Sequence, residues 1–196
     1  MQDKRVVMVA VGGQGNVLSA RLLGEACMLM GIPAIVSEVH GMAQRGGIVE
    51  TSINIGDINS PIVSNNEADV LVAFEPLEGL RALNKCNKDT IAVVNTRPLP
   101  PFTVAVGQGV YPPVEKSLEL MKAKLKRVVA FDGMELAEKA NNPLALNMVM
   151  LGAFIGLNEI PISLEVMKKV VSERTKKQFL DSNLLALELG YQAIKG

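Results

Sequence analysis

Residues 6–16 read VVMVAVGGQGN, a short apolar run typical of a buried strand that ends in a glycine cluster. An amphipathic helix pattern follows at once through Val17, Leu18 and Leu22. Glycine permits a sharp turn and a close approach of bare backbone to a ligand, and a helix N-terminus offers N–H donors at a positive dipole end. The segment therefore predicts a βα unit that binds an anion such as phosphate. The candidate binding residues are Gly12, Gly13, Gln14, Gly15 and Asn16.

The glycine cluster matches the dinucleotide-binding fingerprint only in part. In the best frame, Gly13-x-Gly15-x-x-Leu18, leucine stands where a small residue would let the helix sit close to the strand. Glu38 follows at about the 20-residue separation expected of a ribose-binding acid. A free-standing NAD- or flavin-binding oxidoreductase and a glycine turn that only connects strand to helix both stay open on this segment.

The overall composition limits the kinds of molecule that this chain is expected to bind. A chain of 196 residues favours one globular domain spanning 1–196. Its 20 Lys and Arg balance its 20 Asp and Glu, so neither nucleic acid nor an anionic membrane surface is an expected partner. With 48% hydrophobic residues and a mean hydropathy of +0.26, the chain carries more apolar surface than one core needs, which favours a protein partner.

The two cysteines argue against a resident metal centre. Cys27 and Cys86 are far apart in sequence and lie outside any C-x-x-C spacing, so they cannot ligate a cluster or a zinc ion on their own. We expect both to be buried, reduced thiols of a cytoplasmic protein.

Apolar runs that alternate with helical patterns predict an α/β fold with a Rossmann-like, mostly parallel, doubly wound sheet. The predicted strands are 5–11, 34–39, 49–55, 69–74, 90–95 and 127–131. The predicted helices are 16–30, 76–83, 114–126, 133–140, 143–158, 163–174 and 175–194, the last forming a C-terminal helical cap. The strictly alternating run 49–55 predicts an antiparallel edge strand with Glu50, Ser52 and Asn54 facing outward.

Two further segments are unusual. Residues 144–157 are apolar on nearly every side but too short to cross a bilayer, so they predict a buried helix, and Gly152 and Gly156 mark a close contact with the sheet or another subunit. Five of the 10 prolines fall between Pro98 and Pro113, which predicts a long loop that contacts a ligand or partner.

In an open parallel sheet, ligands bind beyond the carboxyl ends of the strands. The residues that end or follow the predicted strands are therefore the candidate site. Besides the glycine cluster they include Glu38, His40, Gln44, Arg45, Gly46, Gly47, Glu75, Asn95 and Arg97. His40 can carry a proton near neutral pH and Arg45 can bind a carboxylate or a phosphate, but a lone histidine and arginine in a loop more often make structural or subunit contacts. No residue is assigned a catalytic role, and no metal-ligand spacing is present.

Four segments, read together, carry a resemblance to a known family. They are GGQGNVLSARLLGEA (12–26), SEVHGMAQRGG (37–47), ADVLVAFEPLEGLRAL (68–83) and VVNTRPLPP (93–101). In this order they closely resemble the gamma-type subunit of 2-oxoacid:ferredoxin oxidoreductases. The motifs HGMAQRGG and FEPLEGLR are most similar to those of the indolepyruvate branch of that family.

The resemblance implies oxidative decarboxylation of a 2-oxoacid, such as indolepyruvate or another aryl pyruvate, to an acyl-coenzyme A with electrons passed to ferredoxin. Thiamine diphosphate, magnesium and [4Fe-4S] clusters are then expected on a catalytic partner subunit, and this chain is expected to be inactive alone. Its role would be to complete the active site in a hetero-oligomer and to contact coenzyme A, or to serve only in assembly.

Overall fold

The computed structural model describes residues 3–41, 47–101, 104 and 106–195, and for His40 the backbone alone. Six strands within these ranges form one sheet in the order β2-β3-β1-β4-β5-β6. Their bounds are β1 Lys4–Val11, β2 Ala34–His40, β3 Ile48–Ile55, β4 Ala68–Ala73, β5 Cys86–Asn95 and β6 Arg127–Phe131. All six predicted strands are confirmed. β1, β4, β5 and β6 run parallel, and β3 is antiparallel to both β1 and β2.

The described ranges also contain seven α-helices, which confirm the predicted helical segments within a few residues. Their bounds are α1 Asn16–Leu29, α2 Pro76–Arg81, α3 Val114–Lys124, α4 Gly133–Lys139, α5 Leu146–Gly156, α6 Leu164–Arg174 and α7 Leu180–Ala193. Short 3-10 turns at Ala82–Asn84, Pro143–Ala145 and Lys177–Phe179 join or precede helices. The α/β architecture with a parallel-dominated sheet is therefore confirmed.

The alternating side chains of β1 divide the interior into two layers. Val6, Met8 and Ala10 belong to the larger cluster, which is built with α1, α5, α6 and α7. Val7 and Val9 belong to the smaller cluster on the other face, with Met121 and Leu125 at the end of α3. Because both faces are covered, the central strands read as continuous apolar runs.

The position predicted for the alternating strand is wrong. β3 lies between β2 and β1, so β2 and not β3 is the outer strand on that side of the sheet. Ser52 and Asn54 are buried, with Asn54 only 1% exposed, and Asn54 donates its amide to the Ser60 carbonyl oxygen at 2.6 Å. The segment 56–67 folds back over this face, so polar side chains that predict exposure are covered by loop backbone.

The helix pair α5 and α7 meets backbone to backbone. A Cβ added at Gly152 would lie 1.9 Å from the Leu187 carbonyl oxygen, and one added at Gly190 would lie 1.9 Å from that of Val149. The glycines of α5 therefore contact the C-terminal helix of the same chain, which also explains why α5 is buried from Leu146 to Ile155. No helix in the described part of the chain is long and apolar enough to cross a membrane.

Both cysteines are free and buried, as the sequence predicts. Burial raises the pKa of the Cys27 thiol and of the Cys86 thiol to about 11, so both are protonated near neutral pH.

Candidate functional site

The carboxyl ends of the parallel strands surround a cleft of about 580 Å³. The turn after β1 contributes Gly12, Gly13 and Gln14, and the end of β5 contributes Asn95 and Arg97. Apolar residues complete the wall, namely Pro98, Leu99, Met134, Pro143, Leu144 and Leu146. The structure thus brings the glycine cluster together with Asn95 and Arg97, as the strand-end argument predicts.

The glycine turn depends on two residues with positive φ. Gly13 has φ of 104° and nothing within 4 Å of an added Cβ, so its backbone faces open space. Gly15 has φ of 84° and caps α1, and an added Cβ there would lie 2.9 Å from the Cβ of Asn147. Gly15 is therefore needed for packing, whereas Gly13 leaves room for a ligand to approach the main chain.

The side chains of Gln14 and Asn16 hold the turn in place. Gln14 accepts a hydrogen bond from the Val11 N–H at 2.8 Å and donates to the Phe74 carbonyl oxygen at 3.0 Å. Asn16 is 2% exposed and donates to the Val49 carbonyl oxygen and the Thr51 hydroxyl, both at 3.1 Å. Any ligand contact by Asn16 is consequently through its backbone N–H.

Asn95 is a fully buried junction between strand ends. Its amide nitrogen donates to the Phe74 carbonyl oxygen at 2.9 Å, and its amide oxygen accepts from the N–H of Gly133 at 2.9 Å. The same oxygen accepts from the N–H of Arg97 at 3.3 Å. Asn95 therefore fixes the start of α4 and the entry to the proline-rich loop relative to β4.

Glu75, which is 1% exposed, anchors that loop from beneath. One carboxyl oxygen caps α2 by accepting from the Glu78 N–H at 2.9 Å. The other accepts from the N–H of Leu99 at 3.2 Å and from the hydroxyl of Tyr111. Burial and the hydrogen bond to Glu75 raise the pKa of Tyr111, so its hydroxyl stays a donor at physiological pH.

Arg97 and Asp132 form an ion pair at the mouth of the cleft. The Arg97 Nε and Nη2 atoms lie 3.0 and 2.7 Å from Asp132 Oδ2, and the arginine side chain is 49% exposed. Burial alone would raise the pKa of Asp132, but the N–H of Glu135 and the Arg97 guanidinium together hold it below its ordinary value. The pair positions the Arg97 guanidinium in the lining of the same cleft as the glycine turn, with its charge balanced by Asp132.

The predicted residues of the 37–47 segment are only partly described. Glu38 accepts two hydrogen bonds from Arg21, at 3.2 and 3.1 Å, and Gly47 offers its carbonyl oxygen to the N–H of Gly12 at 2.8 Å. The backbone of His40 ends β2. Gln44, Arg45 and Gly46 lie outside the described residues. The segment therefore returns to the glycine turn through Gly47.

The strand order does not support the alternative of an NAD- or flavin-binding site that uses Glu38. In that arrangement the acid follows a strand next to β1, but here β3 separates β1 from β2, which places Glu38 about 10 Å rather than about 5 Å across the sheet. Leu18 points outward and is 48% exposed, so it does not make the helix–strand contact of the fingerprint.

The sequence anticipates the apolar wall of the cleft only in part, through Pro98 and Leu99 of the proline-rich loop. Residues 144–157 predict a helix covered on all sides, yet Leu144 lies in the turn Pro143–Ala145 before α5 and is 88% exposed. The signal in the sequence was Pro143, which favours a helix start and so places Leu144 at an end rather than in the buried middle. Met134 lies in the predicted helix 133–140, and Leu99 lies in the proline-rich segment that the sequence predicts to be functional or to contact a partner.

A model of the family described as pyruvate ferredoxin/flavodoxin oxidoreductase matches residues 5–193. The chain belongs to this family. Indolepyruvate oxidoreductase subunit IorB of Archaeoglobus fulgidus is 38% identical over 192 residues, covering 97% of this chain and 96% of the relative. 2-oxoglutarate synthase subunit KorC of Methanocaldococcus jannaschii is 25% identical over 98% of this chain and 94% of its own length. This chain is thus a subunit of an indolepyruvate or related 2-oxoacid ferredoxin oxidoreductase, and the resemblance stated from its motifs is confirmed.

Two solved structures share the fold of this chain. The keto/oxoacid ferredoxin oxidoreductase gamma subunit of Geobacter sulfurreducens has a TM-score of 0.72 at 20% identity, covering 98% of both chains. A 2-oxoglutarate:ferredoxin oxidoreductase from Magnetococcus marinus, with 2-oxoglutarate, coenzyme A and succinyl-CoA bound, has a TM-score of 0.75 at 20% identity. There the match covers all of this chain but 31% of the other, so the same fold also occurs within a longer polypeptide.

No group of three or more His, Cys, Asp or Glu within the described ranges is arranged to hold a metal ion. The chemistry that these residues offer is instead anion binding by main chain, a guanidinium at the cleft mouth and an apolar wall.

Proposed function

We propose that this chain, acting as a single domain over 1–196, completes a coenzyme A-binding face in a cytoplasmic 2-oxoacid:ferredoxin oxidoreductase and is inactive alone. The observation that carries the proposal is the junction of an open glycine turn, a helix N-terminus and an apolar cleft at one sheet edge. The partner subunit supplies thiamine diphosphate, magnesium and [4Fe-4S] clusters, and the substrate is indolepyruvate or another aryl pyruvate. The reaction gives an acyl-coenzyme A, carbon dioxide and two electrons for ferredoxin.

The phosphate groups of coenzyme A fit the N-terminus of α1. A depression of about 390 Å³ is lined there by Gly12, Gly13, Gly15, Asn16, Val17, Leu18, Arg21 and Val49. The N–H groups of the first helical turn have no carbonyl partner within the helix, and this turn contains no acidic residue that would repel an anion. Gly13 leaves space for a phosphate oxygen to reach the main chain.

The remainder of the ligand fits the adjoining cleft. Gly12 and Gly13 line both depressions, so a ligand held at the helix N-terminus can continue into the larger one. Leu144, Leu146 and Met134 form an apolar wall suited to a planar base, and the half-exposed guanidinium of Arg97 lies at the mouth, where it can pair with a second phosphate. Coenzyme A carries both phosphate groups and a planar base, so it matches both the helix N-terminus and the apolar wall.

The number of cysteines and the residues at the strand ends support this assignment of roles to the two subunits. Its two cysteines are too few to ligate a cluster, so the redox centres belong to the partner. In this proposal the segment 37–47, with Glu38, His40, Gln44, Arg45, Gly46 and Gly47, contacts that partner. Glu75, Asn95 and Arg97 hold the other side of the cleft in place.

Calorimetric titration of coenzyme A tests the proposal, both into the isolated chain and into the complex assembled with its thiamine-diphosphate-binding subunit. Gly13→Ala adds a methyl group where the phosphate approaches. Gly31→Ala is the matched control, since Gly31 also has positive φ, 67°, and no atom within 4 Å of an added Cβ. It lies beyond the other end of α1, about 20 Å away.

In the complex, Gly13→Ala should weaken coenzyme A binding by about tenfold or more, the equivalent of about 1.4 kcal/mol, while Gly31→Ala should match the wild type. Equal affinity in all three complexes would remove the coenzyme A contact and leave a subunit that serves only in assembly.

A further inference from the structure

Three large apolar side chains converge on the surface beside the cleft. Leu144, Leu18 and Phe179 are 88%, 48% and 45% exposed, and all three line one depression of about 190 Å³. Its other lining residues are Asn142, Asn147 and Asn183, so no charged side chain interrupts it. We call this surface the leucine patch. An isolated domain rarely leaves side chains of this size so exposed next to one another.

The patch is held in shape by hydrogen bonds. Asn142 accepts from the N–H of Leu144 at 3.2 Å and so caps the turn that presents Leu144. The amide nitrogen of Asn142 donates to the Ser182 hydroxyl at 3.2 Å and to the Asn183 amide oxygen at 3.1 Å. Leu144 is therefore presented by a fixed turn anchored to α7, which lowers the entropy lost when a partner covers it.

The leucine patch is continuous with the strand-end cleft. Leu144 lines both the patch depression and the large cleft. Leu18 lines both the patch depression and the depression at the N-terminus of α1. A molecule that covers the patch therefore also borders the glycine turn and closes one side of the proposed coenzyme A site.

We infer that the leucine patch is the docking surface for the catalytic subunit, which inserts a hydrophobic side chain between Leu144, Leu18 and Phe179. The inference rests on the proposed function, because that function requires the cleft to face the partner's reactive centre. Because Leu144 lines both the patch depression and the cleft, the molecule that the cleft faces is favoured over a second copy of this chain as the occupant of the patch. The matching fold makes up 31% of the longer Magnetococcus marinus chain, so this fold also occurs joined covalently to a different polypeptide segment.

The partner's contact surface then has a defined chemistry. It is uncharged at its centre, since the patch is uncharged, and it carries a protruding aliphatic or aromatic side chain. Such anchors near the centre of an interface carry much of the binding free energy.

Biolayer interferometry without coenzyme A tests the inference, with the immobilised chain and its purified thiamine-diphosphate-binding subunit. Leu144→Asp places a charge in the patch, and Phe179→Ser removes an anchor that lines the patch but not the large cleft. Ile62→Asp is the control, because Ile62 is an equally simple aliphatic residue, 58% exposed, in the segment that covers the opposite face of the sheet.

Both patch variants should bind the subunit about tenfold or more weakly than the wild type, with Ile62→Asp within about twofold. Wild-type affinity in both patch variants would overturn the inference while leaving the proposed function intact. Failure of the wild-type chain to bind the subunit would instead refute the proposed function. A self-association of the wild type in sedimentation velocity that Leu144→Asp abolishes would assign the patch to a second copy and also overturn the inference.

Discussion

The side-chain amides of Gln14 and Asn95 donate to the same acceptor, the carbonyl oxygen of Phe74, at 3.0 and 2.9 Å. Gln14 follows β1, Phe74 follows β4 and Asn95 ends β5. The two hydrogen bonds therefore join three neighbouring strand ends into one rim. The glycine turn and the cleft mouth are positioned relative to each other by this junction, before any ligand or partner binds.

The two amides should differ in their effect on stability. Asn95→Ala leaves the N–H groups of Gly133 and Arg97 without their acceptor at a buried position and should lower the free energy of unfolding by about 2 to 4 kcal/mol. Gln14→Ala should cost about 1 kcal/mol, because water in the cleft can reach the exposed groups. Urea unfolding measures both, and equal losses would contradict the role of Asn95 as the buried junction.

The Tyr111 hydroxyl should hold the proline-rich loop against the sheet. Tyr111→Phe removes one donor to the buried Glu75 and should lower stability by about 1 to 2 kcal/mol. Amide exchange at Leu99, which donates to the same carboxyl oxygen, should become faster. Tyr191→Phe is the control, since that hydroxyl accepts a hydrogen bond from the Lys195 ammonium in an exposed pair. Unchanged exchange at Leu99 would contradict the anchoring role.

Glu78 should make stability depend on pH. Burial raises the pKa of Glu78, the nearby Glu75 adds to the increase and Arg81 opposes it. Among the described residues the Glu78 Oε2 atom has no hydrogen-bond partner. Because the folded state holds the proton more tightly than the unfolded state, the contribution of Glu78 is favourable at low pH and is lost as pH rises through the raised pKa.

Glu78→Gln mimics the protonated form and should remove this dependence. Thermal unfolding should show similar stability for variant and wild type at about pH 4, and a variant that is the more stable at about pH 8. Glu119→Gln, at an exposed position on α3, should differ little from the wild type at either pH. A Glu78→Gln variant that loses stability as pH rises relative to the wild type would contradict the assignment.

The contact between α5 and α7 should tolerate no side chain at Gly152. An added methyl group would lie 1.9 Å from the Leu187 carbonyl oxygen, so Gly152→Ala should cost about 3 kcal/mol or more. Gly24→Ala is the control within a helix, because its Cβ meets only the Val36 side chain at 3.0 Å and gains helix propensity. Similar chemical denaturation of both variants would refute the close backbone contact.

The strands and helices could be predicted because the central strands are covered on both faces and so are continuously apolar. The position of the strand-end cleft follows from the same pattern, since Gly12 comes directly after the predicted strand 5–11, Asn95 ends the predicted strand 90–95 and Arg97 lies two residues beyond it. The resemblance to a family was carried by short polar motifs at these same strand ends.

The contacts that complete the site join residues far apart in sequence, which no local pattern reveals. Glu75 contacts Tyr111, which is 36 residues away in sequence, and Asn16 contacts Thr51, which is 35 residues away. The alternating run with polar Ser52 and Asn54 predicts an edge position for β3, but the segment 56–67 covers these side chains. The apolar run 144–157 predicts a buried Leu144, because an apolar sequence alone does not distinguish a core from a surface that binds a partner.

The most direct measurement of the central claim compares 2-oxoacid oxidation by this chain alone, by its thiamine-diphosphate-binding subunit alone, and by the two combined. Reduction of an electron-accepting dye would be followed with indolepyruvate and coenzyme A. The account predicts coenzyme A-dependent turnover only for the combination, and turnover by this chain on its own would contradict it.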